Sequence, residues 1–185
     1  SSLVDGYPSV IDIPSFLNFM ILNELASNVD AYEFSTYFHK DKNGKLRAGP
    51  LWDFNLTFGN DLFEWGFDRS WTNVWQFDDG GNMGAKFWKD LFDDDKFKCY
   101  LSKRWHELTE EGQPLHTDNI LAFIDETDLL INEAIEREQF TWGTVSEHAQ
   151  NVSNMKRWIT ERITWMNDNI GAFSACSETV TPPLI

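Results

Sequence analysis

Cations are scarce in this 185-residue chain: 15 Lys and Arg stand against 30 Asp and Glu, a formal net charge of −15. That argues against binding a nucleic-acid backbone, which needs clustered cations. It fits a protein that repels its own copies or attracts metal ions or basic partners. No apolar run approaches the roughly 18–20 residues that a bilayer span needs, so none is expected here. Cysteine is limited to Cys99 and Cys176, too few for a disulfide framework or a four-ligand zinc site. Cys99 lies in a helical pattern and Cys176 in a polar tail, so two free thiols are expected. The chain opens Ser1-Ser2-Leu3 without methionine or signal peptide and reads as a processed product or an excised segment. What it has in quantity is aromatic: nine Trp and fifteen Phe, enough for a dense core from few residues, or for stacking on sugars where a Trp is exposed.

Residues 12–28 read as a helix. Asp12 is its N-cap, Pro14 sits in the first turn, and Ile13, Phe16, Leu17, Met20, Ile21 and Leu25 form its stripe. Phe19 and Leu22 widen that stripe, which predicts cover on more than one side. A hairpin follows: Glu33 to His39, a polar turn Lys40 to Lys45 with Asn43-Gly44 at its tip, then Leu46 to Trp52. Pro50 implies an edge position or a gap in the ladder. Asp53 to about Gly84 is irregular, and Trp65, Trp71 and Trp75 predict a loop pinned by its side chains. Four helical stretches complete the chain. One covers about Ala85 to Phe92; a second is capped by Asp94 or Asp95 and carries Phe97, Leu101, Trp105 and Leu108. A third is capped by Thr117, with Ile120, Phe123, Ile124, Ile131, Ala134 and Ile135 as its stripe. The last runs from about Ser146 to Asn169, with Gly171 at C′, and its Trp158 and Trp165 read as core. Thr181-Pro182-Pro183 reads as the start of a linker. The pattern predicts an α+β fold, mostly α-helical, with one β-hairpin.

The chemistry-bearing stretch is Asn28 to Asn60. Asp30 precedes the first hairpin strand and Asp53 follows the second, and antiparallel pairing brings such open ends together. With Asn43 and Gly44 as central turn residues, Phe34 faces Asp53; one more loop residue puts Ser35 opposite it. At a strand spacing of about 4.8 Å, either register sets two carboxylates at one hairpin mouth with Asn28 and Asn55. Close carboxylates repel unless a cation, a proton or hydrogen bonds intervene. Two readings follow: a divalent-metal site whose second acid is a general base, or two Asp that cap turns and backbone amides. Elsewhere, Asp41-Lys42-Asn43-Gly44 lacks the distant Glu of a calcium loop. His39, His106, His116 and His148 show no metal-ligand spacing, and Asp93-Asp94-Asp95 reads as a capped helix start.

Asn28-x-Asp30, Phe34-Ser35-Thr36-Tyr37, the Lys42-Asn43-Gly44-Lys45 turn and Gly49-Pro50-Leu51-Trp52-Asp53-Phe54-Asn55-Leu56-Thr57-Phe58-Gly59 resemble the core of the CotH kinase family. The name comes from the spore-coat protein H group, and the likeness is strongest to its secreted or surface branch in Bacteroides-type bacteria. The resemblance runs over nearly the whole chain; the hairpin ending in Trp-Asp is its specific part. It implies a protein-kinase-like fold and site grammar: a catalytic Asp, a metal-binding Asn five residues on, then a hairpin and a second Asp holding the magnesium that bridges the ATP phosphates. Carried over, Asp30 is the catalytic acid that orients a Ser or Thr hydroxyl of a protein substrate. Asp53 is the magnesium ligand, Asn55 and Ser35 stand at metal positions, and Asn28 and Trp52 support them. Because no Gly-rich phosphate loop precedes Asp30, residues 1–178 are expected to be a C-terminal lobe, inactive alone, with ATP held mostly by upstream residues. Residues 179–185 would start a linker, and the location would be extracellular, periplasmic or cell-surface.

Two positions depart from the pattern. Ser35 stands where kinases have the metal-holding amide, and Asn55 replaces the second carboxylate of the family's Trp-Asp-x-Asp. A hydroxyl is a weaker magnesium ligand than an amide carbonyl, and Asn55 brings no charge. The rival expectation is therefore a surface binding or scaffold module in which the kinase site has decayed, with glycans as a ligand for the loop tryptophans.

Overall fold

A computed structural model describes residues 5–60, 71–78, 84 and 86–171; Trp65, Cys176 and the expected linker at 179–185 lie outside the described residues. The fold is α+β and mostly helical, with five α-helices and one two-stranded antiparallel sheet among the described residues. Helix α1 (Ile13–Ala26) begins as its sequence predicts, with Asp12 accepting the Ser15 N–H at 3.0 Å and Pro14 in the first turn. Ser27 closes it in the left-handed conformation. The helix is buried on most sides, Phe19 included, and packs against the hairpin, α3 and α5.

Strands β1 (Phe38–His39) and β2 (Arg47–Ala48) pair Phe38 with Ala48 and His39 with Arg47. They are shorter than the predicted strands, and their register is one residue off the first expected. The causes are local. The N–H groups of Phe34 and Ser35 both donate to the Asp30 carbonyl, at 3.1 and 3.0 Å, so residues 30–35 coil into a turn. Gly44 N–H donates to the Asp41 carbonyl at 3.0 Å, which makes Lys42 and Asn43 the central turn residues. Beyond β2, Pro50 has no N–H to give a ladder. The hairpin is fastened to the α1 entry: Asp12 N–H donates to the Leu46 carbonyl at 2.8 Å, Ala48 N–H to Ser15 Oγ at 3.2 Å, and Arg47 pairs with Asp12 at 3.2 Å.

The remaining helices are α2 (Phe87–Asp93), α3 (Asp95–Thr109), α4 (Thr117–Trp142) and α5 (His148–Asn169). Asp94 caps α3, accepting from Lys96 and Phe97 N–H at 3.1 and 2.9 Å and from the Tyr7 hydroxyl at 2.8 Å. Thr117 is the first residue of α4 instead of its cap; His116 holds that place without a side-chain bond. α4 buries none of its residues, although Ile120 and Ile124 lean on the core. The core is aromatic: Trp88 stacks on Phe19 at 5.2 Å and is ringed by Phe16, Tyr32, Phe38 and Phe87. Trp158 is buried, as expected, and Trp165 packs against the core.

One ion pair ties the ends of this body together. Arg162 of α5 and Glu24 of α1 are 0% and 1% exposed and meet at 3.2 Å. Arg162 also donates to the carbonyls of Glu24, Thr72 and Val74, at 2.8, 2.9 and 2.5 Å. Its guanidinium lies over the rings of Trp165 and Trp75. Glu24 in turn accepts from the Tyr32 hydroxyl and from the N–H groups of Gln76 and Phe77, at 2.8, 2.8 and 3.2 Å. Burial pushes the Glu24 carboxyl above the usual carboxylate range, against the pull of Arg162 and these donors. Burial lowers Arg162, and Glu24 opposes it. The pair pins residues 72–77.

Cys99 is disulfide-bonded, which corrects the expectation of two free thiols. One turn along α3 from Cys99, Ser102 Oγ donates to the Gly171 carbonyl at 2.5 Å, which sets the end of α5 against α3.

Removing one partner of the buried pair strands the other. Arg162→Met is expected to cost about 3–5 kcal/mol in urea unfolding, and Glu24→Leu combined with Arg162→Met to recover part of that loss. For the α3 cap, partial burial works to raise the Asp94 carboxyl, but the Phe97 N–H, the Tyr7 hydroxyl and the Lys96 N–H outweigh it and hold it below its usual range. A depressed folded pKa adds stability that is present above the ordinary Asp value and is lost as pH falls through the folded value. Asp94→Ala should therefore cost about 0.5–2 kcal/mol at pH 7, and the gap to the parent should close below about pH 4, as read by thermal melts across pH.

Candidate functional site

The loop after α1 and the loop after β2 meet through one buried amide. Asn28 is 0% exposed. Its Oδ1 accepts the Asp30 N–H at 3.2 Å, while its Nδ2 donates to Asn23 Oδ1 at 3.0 Å and lies 3.5 Å from the Asp53 carbonyl oxygen. Asn23 is itself anchored, donating to the Phe19 carbonyl at 2.9 Å. A relay of side-chain amides thus runs from the middle of α1 to the backbones of both candidate acids.

The second link is carboxylate to hydroxyl. Ser35, itself buried, donates from Oγ to Asp53 Oδ2 at 3.0 Å. The turn over residues 30–35 creates this contact, because it carries Ser35 back over Asp30. Asp53 sits at φ +62°, in the left-handed region that Asp tolerates better than most residues, and its side chain is exposed. Asp30 is half-buried. Ser35 is thus beside Asp53 by a turn and not by a ladder, and the observed register is neither of the two expected.

The other candidates spread outward. Trp52 is 45% exposed with its ring 5.5 Å from that of Tyr37, and Phe34, Tyr37 and Leu51 are exposed nearby. Asn55 is exposed, its main-chain carbonyl accepts from Asn60 Nδ2 at 2.8 Å, and it lines a separate groove of about 970 Å³ against α5. Among the described residues, no group of three or more His, Cys, Asp and Glu is placed to hold a metal ion.

The donors that are present are hard oxygens and a neutral amide. Such a set suits magnesium, which keeps much of its water and takes one or two carboxylates together with phosphate oxygens. Asp53, with Oδ2 oriented by Ser35, fits the first of those roles.

Sequence reasoning missed the framework of this region. Glu24, Arg162 and Gln76 fix the loop floor, with Gln76 Nε2 donating to Ser27 Oγ at 2.7 Å. The signal was present as two charges set within apolar helical stripes, Glu24 beside Leu25 and Arg162 beside Ile163.

The architecture at this point is a helical body bearing one hairpin, with Asp30 before it and Asp53 after it. Consistent with it, the sequence profile of the CotH kinase protein family matches residues 1–166. The chain belongs to the CotH kinase family. Neither curated proteins nor solved structures give a match.

The amide relay predicts a stability effect. Asn28→Ala removes the acceptor of the Asp30 N–H and the donor to Asn23 Oδ1, leaving buried groups unpaired. It is expected to cost about 1–3 kcal/mol, seen as a lower urea midpoint with an unchanged slope.

Proposed function

We propose that this chain is the C-terminal lobe portion of a CotH-type atypical protein kinase, a transferase moving the ATP γ-phosphate to Ser or Thr hydroxyls of a protein substrate. The observation that carries the reading is the Asn28 amide, which joins the Asp30 and Asp53 backbones while Ser35 orients the Asp53 carboxylate. In the reaction, Asp30 accepts the hydrogen bond of the substrate hydroxyl and aims its oxygen at the phosphorus. Asp53, with Ser35 beside it, would hold magnesium, which when bound neutralises phosphate charge; Asn55, the other expected metal position, lines the separate groove instead. Asn28 fixes the spacing of the two acids and touches no substrate.

The nucleotide would be held mostly by a further lobe, covering the exposed Phe34, Tyr37, Leu51 and Trp52; apolar exposure of this kind marks interaction surfaces. The lobe described here would then be inactive alone. The disulfide at Cys99 supports a secreted or surface location, where such bonds persist.

A second reading, a surface binding module for glycans with a decayed kinase site, is favoured by Asn55, whose neutral amide lines a groove away from the acids.

With the protein in its natural length, magnesium and labelled ATP, Asp53→Ala and Asp30→Asn are each expected to lower phosphate transfer by at least about 10²-fold. Unchanged transfer in Asp53→Ala would remove it from the mechanism, and no transfer by the parent would favour the second reading.

A further inference from the structure

Residues 55–60 are laid against α5. Phe58 N–H donates to the Ala26 carbonyl at 2.7 Å, and the Phe58 ring meets Trp158 edge-on at 6.2 Å. Gly59, at φ +80°, passes so close that a Cβ there would lie 2.8 Å from Trp158 Cδ1. Residues 71–74 form the opposite wall, held by the Arg162 bonds to the Thr72 and Val74 carbonyls. Between these walls and the exposed face of α5 runs the groove of about 970 Å³, well within the size range of ligand sites.

Its lining is unusual in being rich in amides. Asn55, Asn60, Asn73, Asn151 and Asn154 all face it. Among the described residues, the side chains of Asn55, Asn73 and Asn151 have no hydrogen-bond partner. Each brings two donors and an acceptor in one plane, a match for pairs of neighbouring hydroxyls. Trp71, 50% exposed, offers an aromatic platform on the same wall. The other loop tryptophan described, Trp75, is already occupied by Phe77, Phe92 and Trp165.

Other ligand classes fit less well. Among the described residues, Arg157 is the only cation in the lining and Glu161 shares it, a poor setting for phosphates. Neither strand contributes to the lining among the described residues, so an extended peptide would find no ladder there to join. We propose that this groove binds a neutral oligosaccharide, with Trp71 stacking on a sugar face and Asn55, Asn73 and Asn151 bonding its hydroxyls. The proposal rests on the glycan reading above and needs neither Asp30 nor Asp53, so binding is measured without ATP or magnesium.

The test is calorimetry of the whole chain with cello-, xylo-, manno-, malto- and N-acetylglucosamine oligosaccharides. Binding of at least one is expected, weakened at least about tenfold by Trp71→Ala, with Trp71→Phe retaining part of the affinity. Asn151→Leu, on the exposed face of α5, is expected to weaken it likewise and serves if Trp71→Ala fails to fold. Binding that neither variant changes overturns the groove while leaving the glycan reading standing. No binding of any of these sugars up to about 10 mM, or displacement of the bound sugar by an unfolded polypeptide, overturns the proposal itself.

Discussion

The buried pairing of Glu24 with Arg162 is the constraint on which this structure turns. Two charges without access to water are tolerable only if nearly every donor and acceptor around them is used, and here they are. Tyr32, Gln76 and Phe77 serve the carboxylate, while Glu24, Thr72 and Val74 carbonyls serve the guanidinium. The same bonds give the loop at 72–77 a fixed course without secondary structure. They also couple α1, which leads into the Asn28–Asp30 loop, to α5, which floors the amide-rich groove. Tyr32 belongs to both worlds: its hydroxyl serves Glu24, its ring packs on Trp88, and its neighbours are the turn that aims Ser35.

The two candidate acids are held by different means. Asp30 is fixed through its backbone, whose N–H meets Asn28 and whose carbonyl takes two N–H groups from the turn. Asp53 is fixed through its side chain, by Ser35, on a backbone in the left-handed region. That bond gives Ser35, a departure from the kinase pattern, a defined physical task.

Much of the fold was legible in the sequence because its signals are local. Asp12 and Asp94 cap helices as side chains of their type do, and the α1 stripe with Phe19 added foretold a helix surrounded by neighbours. The hairpin was legible in its existence and not in its extent: bonds from Phe34 and Ser35 to the Asp30 carbonyl compete with the ladder, and no period-2 pattern reveals such a competition. The contact of Ser35 with Asp53 was not readable from hairpin logic, because the turn over residues 30–35 makes it and the observed register is neither of the two expected. Nor could the long-range part be read. Arg162 and Glu24 are 138 residues apart, and nothing in the helical pattern around Cys99 signals that it is bonded. Charges within apolar stripes were the one clue, and they name a burial problem without naming the partner.

α4 has an outer side where Phe123, Leu129, Leu130 and Phe140 stand 68–94% exposed, on a helix whose charged residues are mostly acids. Greasy contact between two molecules would have to overcome the mutual repulsion of like-charged chains. Colloidal behaviour should then follow ionic strength: added salt, by screening that repulsion, would let those side chains find one another.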